Sequence, residues 1–379
     1  IRVELTSTSR VGMHRYTYPA GEKANVLFDV GALLAHGKTE KAAIHRISSK
    51  EIGGYSVLAP TSRRKKPVTV YFVARFNQNM TAFGGWEKEG KEKKLVHKNS
   101  IEGADIGGYA SFGKLKKQTL LMKVGISYVS EEQARINLEK ELAHWNFDRV
   151  KEDAFAEWNR ELGKITVEGG SEEEKIKFYT DLWHSLLGRH TFSDFNGKYI
   201  DNTGEEPVVR QVPLDNGTPT RNTYNSDAFW GSEFNLNILW SIAYPKVMSE
   251  FVSTLVDYYT NGGMIARGPS GGNYTYVMVG DQATPLIAAA YNKGIRDFDI
   301  ESAYQGCLKN SEPGGIRDYV GYKTNPGNFM QQYVDKGFVP EPTTKSPHAE
   351  GCAMTLYFAY EDWCMAPVSY THLTLPTIC

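Results

Sequence analysis

The sequence predicts a two-part protein, an antiparallel β-sandwich followed by a helical toroid, and three observations carry that reading. At 379 residues the chain exceeds what one ordinary core organises, so two domains are the default. Up to about Val129 the apolar residues recur with period two. From Ser130 onward the period is helical, and it starts at a capping-box pattern.

In the first part, Val68, Val70, Phe72, Ala74 and Phe76 alternate with Thr69, Tyr71, Val73 and Arg75, as in a strand with one buried face. Leu120, Met122, Val124, Ile126 and Tyr128 repeat the pattern. Turn clusters such as Pro19-Ala20-Gly21, Gly53-Gly54 and Gly107-Gly108 separate the runs, which suits an antiparallel sandwich over residues 1–129. The charged run Lys88 to Lys94 reads as a solvated hairpin tip.

Ser130 with Gln133 opens a run through Ala134, Leu138, Leu142 and Trp145, which predicts a linker helix within 130–170. Ser171 with Glu174 forms a second box ahead of Ile176, Tyr179, Trp183 and Leu186. Helical spacing returns at Val247 to Leu255, Leu286 to Tyr291 and Ala353 to Tyr360, with Gly- and Asn-rich loops between. Loops of that kind, set on a helical scaffold, are where a site is built. A tight turn is expected at Asn196-Gly197, in a hairpin spanning Thr191 to Tyr199.

Composition narrows the function. With 43 basic and 44 acidic side chains the net charge is -1, so no global field draws the chain to nucleic acid or an anionic membrane. No apolar run is long enough to span a bilayer. Aromatic residues make up 12% of the chain, including 22 Tyr and 7 Trp, and such rings stack on ligands that are apolar on one face and polar at the rim, as sugars are. Cys307, Cys352, Cys364 and Cys379 show neither a CxxC pair nor zinc-like spacing. His184, His190 and His348 lack the spacing of a zinc helix and read as structural.

The two ends read as interrupted. Ile1 to Leu5 has the pattern of mid-strand residues rather than of a signal peptide. The helical pattern through Tyr357, Tyr360 and Trp363 is expected to stop at Ala366, and residues 367–379 resemble a translated sequencing adapter, so His372 and Cys379 carry no functional weight.

Several stretches, in order, resemble family 92 glycoside hydrolases, a family of α-mannosidases. They are Glu4 to Pro19, Val70 to Phe76, Trp183 to Leu187, Phe192 to Tyr199, Gly272 to Met278, Ala289 to Asp299 and Ala359 to Cys364. The resemblance implies an N-terminal β-sandwich, a linker helix and, over 171–366, the first part of an (α/α)6 barrel. It further implies an exo-acting, inverting, calcium-dependent α-mannosidase, exported to the periplasm or cell surface of bacteria, whose partner is a mannose-containing glycan. The family's acid lies in a stretch Glu-Gly-Asn-x-Trp-Gln-Tyr-Thr-Trp and its base in an acidic cluster followed by Gly-Gln. Neither occurs here, so the resemblance implies a fragment that is itself inactive and whose calcium ligands lie mostly elsewhere.

Candidate substrate contacts follow residue by residue. Asp227 to Glu233 falls where family members carry a Trp-Asp pair on the terminal mannose; Trp230 matches, Gly231 replaces the aspartate, and Asp227 or Glu233 could supply a carboxylate instead. Trp230 either lines the site or packs between helices. The Gly-rich loop Arg267 to Asn273 lacks the GxxxxGK[ST] pattern of a phosphate cradle and instead lets backbone and Arg267 approach a ligand. Asn273 either orients a sugar hydroxyl or caps the next helix. The rival readings are a non-catalytic carbohydrate-binding protein and another (α/α)6 enzyme, such as a glycoside phosphorylase, for which no phosphate site is apparent.

Overall fold

The computed structural model describes all residues except 33–36, 90–91, 116–117, 227–228, 342–346 and 374–379. Its first part contains β1 (Arg2–Ser7), β2 (Val11–Thr17), β3 (Lys23–Phe28), β4 (Thr39–Arg46), β5 (Glu51–Leu58), β6 (Val68–Phe76), β7 (Ala82–Glu89), β8 (Glu92–Val96), β9 (Ser100–Gly103), β10 (Gly107–Lys114) and β11 (Thr119–Ser127). They form a seven-stranded sheet, β1-β2-β11-β6-β5-β4-β9, and a four-stranded sheet, β3-β10-β7-β8, in which every pairing is antiparallel. Ile44, Ile52, Phe76, Ile101, Ala110 and Leu120 fill the space between them. The charged run at Lys88 pairs Glu89 with Glu92 across β7 and β8, and Gly90 and Lys91 at its tip lie outside the described residues.

β6 departs from the one-faced strand expected of it. Ala74 and Phe76 face the inter-sheet core, yet Val73 is also fully buried, packed with Val11, Met13, Ala134 and Leu138. A helix lies on that second face. It is α1 (Glu131–Glu141), whose N-cap Ser130 accepts the Gln133 amide at 3.1 Å.

The linker is two helices rather than one. α1 ends at Leu142, and Asn146 caps a new helix, α2 (Phe147–Leu162), by accepting the Arg149 amide. The break fits the side chains: Lys123 donates to the Leu142 carbonyl at 2.8 Å and lies over the Trp145 ring, occupying the C-terminus of α1 where cations are favoured. α3 (Glu172–Leu186) then opens with the complete capping box expected at Ser171 and Glu174.

Between α3 and the next helix the chain is richer in strands than the loops and single hairpin expected there. β12 (His190–Thr191) pairs with β17 (Tyr224–Asn225), β13 (Lys198–Asp201) with β14 (Val208–Gln211), and β15 (Leu214–Asp215) with β16 (Thr218–Pro219). The turn at Asn196-Gly197 forms, with Gly197 at φ 81°, but β13 pairs forward to β14 and not back to Thr191.

The helical part comprises α4 (Leu236–Ala243), α5 (Pro245–Gly262), α6 (Ala283–Asn292), α7 (Ile300–Asn310), α8 (Phe329–Lys336) and α9 (Gly351–Leu373). α5 is buried on most of its circumference, and Trp240, Met248, Phe251, Leu255 and Leu286 form its core. α9 runs on past Ala366, correcting the expected stop. A proline inside a helix costs about 3 kcal/mol, and burial offsets it: Val368 packs with Ala288, Tyr304 and Cys364, and Tyr304 donates its hydroxyl to Ser369.

Candidate functional site

Loops from both parts of the chain meet above α6 and α9. The 59–67 loop of the β part reaches the segment following the Gly-rich loop: Arg64 bridges to Thr275, and the Tyr276 amide donates to the Arg63 carbonyl at 3.3 Å. Lys66 donates to the Asn202 carbonyl at 2.9 Å, tying the same loop to β13. Tyr276 in turn stacks on Tyr319 with ring centres 4.9 Å apart, and its carbonyl accepts the Tyr322 amide.

Three residues here hold left-handed backbone without being glycine: Met278 at φ 64°, Tyr322 at φ 67° and His348 at φ 62°. Such strain persists only where surrounding structure enforces it, and it clusters at functional sites. Tyr322 and His348 also touch, hydroxyl to Nε2 at 3.4 Å. The sequence does not single out Tyr322 and marks His348 only as structural, because a left-handed Tyr or His leaves no compositional mark.

The expected contacts separate into two groups. Trp230 is 51% exposed and sits 6.4 Å from the Tyr357 ring, so it lines open space and does not pack between helices. Gly231 adopts φ 81° as the N-cap of a short 3-10 helix, Ser232–Phe234, a conformation an aspartate there would adopt only under strain. Glu233 follows within that turn; burial raises its carboxyl above the ordinary range, and its Oε2 is buried without a hydrogen-bond partner. It faces α9, where its charge is felt by Tyr357, Tyr360 and Cys364. Asp227 lies outside the described residues.

Arg267 and Asn273 are placed otherwise than expected. Arg267 is buried and donates to the carbonyls of Gly280, Val277, Met278, Tyr319 and Ile316, at 2.7 to 3.3 Å, so its donors pin the loops and none reaches toward a ligand. Asn273 caps no helix, since α6 begins at Ala283. Its amide nitrogen donates to the Gly271 carbonyl at 3.0 Å, closing its own turn.

Beneath the loops lies a buried charge network absent from the sequence reading. Glu361 of α9 approaches Arg317 at 3.0 Å without the alignment of a hydrogen bond, accepts the Asp281 amide, and burial pushes it up to about 8. Arg317 also pairs with Asp362 at 2.6 Å. Asp281 accepts from Thr284 at 2.7 Å and Asn310 at 3.0 Å, so it anchors α6 to α7. Gly280 is required above this network: it sits at φ 76°, and a Cβ there would meet Glu361 Oε1 at 2.4 Å.

Among the described residues no group of three or more His, Cys, Asp or Glu could hold a metal ion. No helix among the described residues is long and apolar enough to cross a membrane.

Residues 133–372 match the model of the glycosyl hydrolase family 92 catalytic domain, and residues 1–127 match the model of that family's N-terminal domain. The chain belongs to glycosyl hydrolase family 92. The family 92 chain superposes on the α-mannosidase BT3965 of Bacteroides thetaiotaomicron with a TM-score of 0.81 at 24% identity, over 97% of this chain and 46% of that one. The inverting mannosidase BT2199 of the same organism gives a TM-score of 0.81 at 22% identity, over 97% and 46%. An "uncharacterized secreted glycosidase" of Arthroderma benhamiae is 24% identical over 258 residues, 64% of this chain and 27% of the fungal one. The chain thus spans under half the length of the solved relatives it matches, and at these identities the structural likeness speaks for the fold.

Proposed function

We propose that this chain is part of an exported, inverting, calcium-assisted α-mannosidase that removes terminal mannose from glycans. In this reading residues 1–129 are the sandwich, 130–170 the linker and 171–366 the first part of an (α/α)6 barrel. The observation that carries it is the pairing of an open Trp230 face with the half-buried Glu233 carboxyl, within a family 92 chain. A tryptophan face takes the apolar side of a hexose, and a carboxyl whose pKa is raised by burial donates, in its protonated form, a hydrogen bond to one of its hydroxyls. The likeness to BT3965, also solved with mannoimidazole, supports mannose as the sugar.

Inversion needs an acid at the leaving oxygen and a base roughly 6.5 to 9.5 Å away that activates water. Trp230 and Glu233 bind and orient the sugar and perform neither step. We place the acid, the base and most of the calcium ligands outside these 379 residues, so the chain alone binds mannose without turnover. Loss of an acid removes roughly 10²–10⁴-fold, and loss of positioning compounds it.

The test is mannose release from an aryl α-mannoside by monodisperse protein, with and without a calcium chelator, alongside titration of mannoimidazole followed by tryptophan fluorescence. Binding without release is the expected result. Calcium-dependent release would place acid and base within this chain, with Glu233, Asp227 and Asp281 the first candidates. Absence of binding would remove Trp230 and Glu233 from the sugar site.

A further inference from the structure

A second cleft, of about 420 Å³, opens where the β part meets α2 and α3, and it shares no residue with the loops of the candidate site. Its floor holds Arg189, 7% exposed. The guanidinium lies 4.0 Å from the Trp240 ring centre and 4.6 Å from that of Phe251, while its Nε is buried without a hydrogen-bond partner. Among the described residues no carboxylate forms an ion pair with it. Burial lowers its pKa only to about 10, so it remains a cation at neutral pH.

An arginine in this state is incomplete. Ring faces attract the charge and fix the plane of the fork, but they accept none of its five in-plane donors. A planar oxyanion supplies what those donors lack, in the paired geometry that carboxylates provide. The neighbouring cation cannot take that anion, because Arg10 is already engaged by Glu141 at 2.7 Å, the Ser193 carbonyl and Asn222.

The rest of the cleft selects what carries the carboxylate. Trp158 lines it, 38% exposed, and is braced edge-on by Trp183 with ring centres 6.2 Å apart. That presents a ring face to an apolar surface within reach of polar groups. Asp194 borders the same space, accepting from Ser127 at 2.9 Å and Asn137 at 2.8 Å. A carboxylate there disfavours a dianion such as phosphate more strongly than a singly charged carboxylate. We propose that this interdomain cleft binds a carboxylate-bearing sugar, a hexuronic acid, with Arg189 taking the carboxylate and Trp158 the ring face.

The test is calorimetric or ligand-detected NMR titration of the whole chain at neutral pH with glucuronic acid, galacturonic acid, glucose and acetate. One uronic acid should bind at least about tenfold more tightly than glucose or acetate, since anion and ring contacts are both needed. Trp158→Ala should weaken the uronic acid about tenfold and leave acetate unchanged. Arg189→Lys should weaken the preferred uronic acid and acetate alike. Trp158 is a surface residue, so its variant tests the site even if the Arg189 variant fails to fold. Equal binding of glucose and uronic acid, acetate binding as tightly as either acid, an unaffected Trp158 variant, or no binding would each overturn the proposal. Mannoimidazole binding at Trp230 is read separately, so failure here leaves the mannosidase reading standing, and the reverse also holds.

Discussion

The loop around Arg267 and the cleft around Arg189 each sink an arginine into the helical part, and they complete it in opposite ways. Arg267 spreads its donors over five carbonyls drawn from two loops. Arg189 has aromatic faces around it, and its Nε is buried without an acceptor among the described residues. Burial alone therefore does not tell a structural cation from a binding one, whereas the state of its donors does. The same contrast separates Asp281, whose Oδ2 is engaged by Thr284 and Asn310 and whose Oδ1 accepts the Ala283 amide, from Glu233, one of whose oxygens is unpartnered.

The largest expected effect pits the two arginines against each other. Arg267→Met leaves buried carbonyls without donors, and hydrogen bonds to charged groups are each worth about 1.5–3 kcal/mol, so a loss of at least about 4 kcal/mol is expected. Arg189→Met removes a buried charge with no carboxylate partner, and replacement by a shape-matched apolar side chain should change stability by under about 1 kcal/mol or raise it. Urea midpoints of the two variants measure both. Similar losses for the two would abolish the distinction.

The second effect concerns pH. Glu361 has a folded value of about 8 against an ordinary 4.5, so the folded state holds the proton more tightly. Its contribution is then fully present below 4.5 and is lost as pH rises through 8. Asp194, raised by burial to about 6, adds a fall of the same sign at lower pH. The difference between wild type and Glu361→Gln should therefore grow between pH 6 and 8, with the wild type losing melting temperature as the pH rises and the variant losing less. Parallel profiles would mean that Glu361 keeps its charge in the folded protein.

How much of this was legible in the sequence follows the range of the forces involved. Local signals held: β6 covers the run expected of it, and the Ser171 box is complete. Signals that depend on distant partners failed. The second buried face of β6 comes from α1, the 190–225 segment pairs in short strands that no alternation marks, and Val368 holds α9 together beyond a proline. At the candidate site Trp230 and Glu233 were nameable from a motif. Arg317, Glu361, Tyr322 and His348 were not, because what singles them out is a long-range ion pair or a strained backbone. Arg267 misled for the same reason: a Gly-rich loop announces close approach but not what approaches.

The smallest effect on stability belongs to Trp230, and it sharpens the comparison from the open side. Its ring touches Tyr357 across 6.4 Å and is otherwise half in solvent, so Trp230→Ala removes little burial. Surface substitutions away from caps, cores and networks usually fall within about 0.5 kcal/mol. If the ring is the platform for a sugar, binding of mannoimidazole should weaken by about tenfold, the order of an aromatic face contact, while the urea midpoint stays put. Glu233→Gln keeps the shape and a donor but cannot ionise, so it should bind as well as the wild type at low pH and better at high pH, where the carboxyl loses the proton it would donate. A Trp230 variant that loses stability and keeps its affinity would identify the ring as packing, and the contrast between completed and open polar sites would then rest on Arg189 alone.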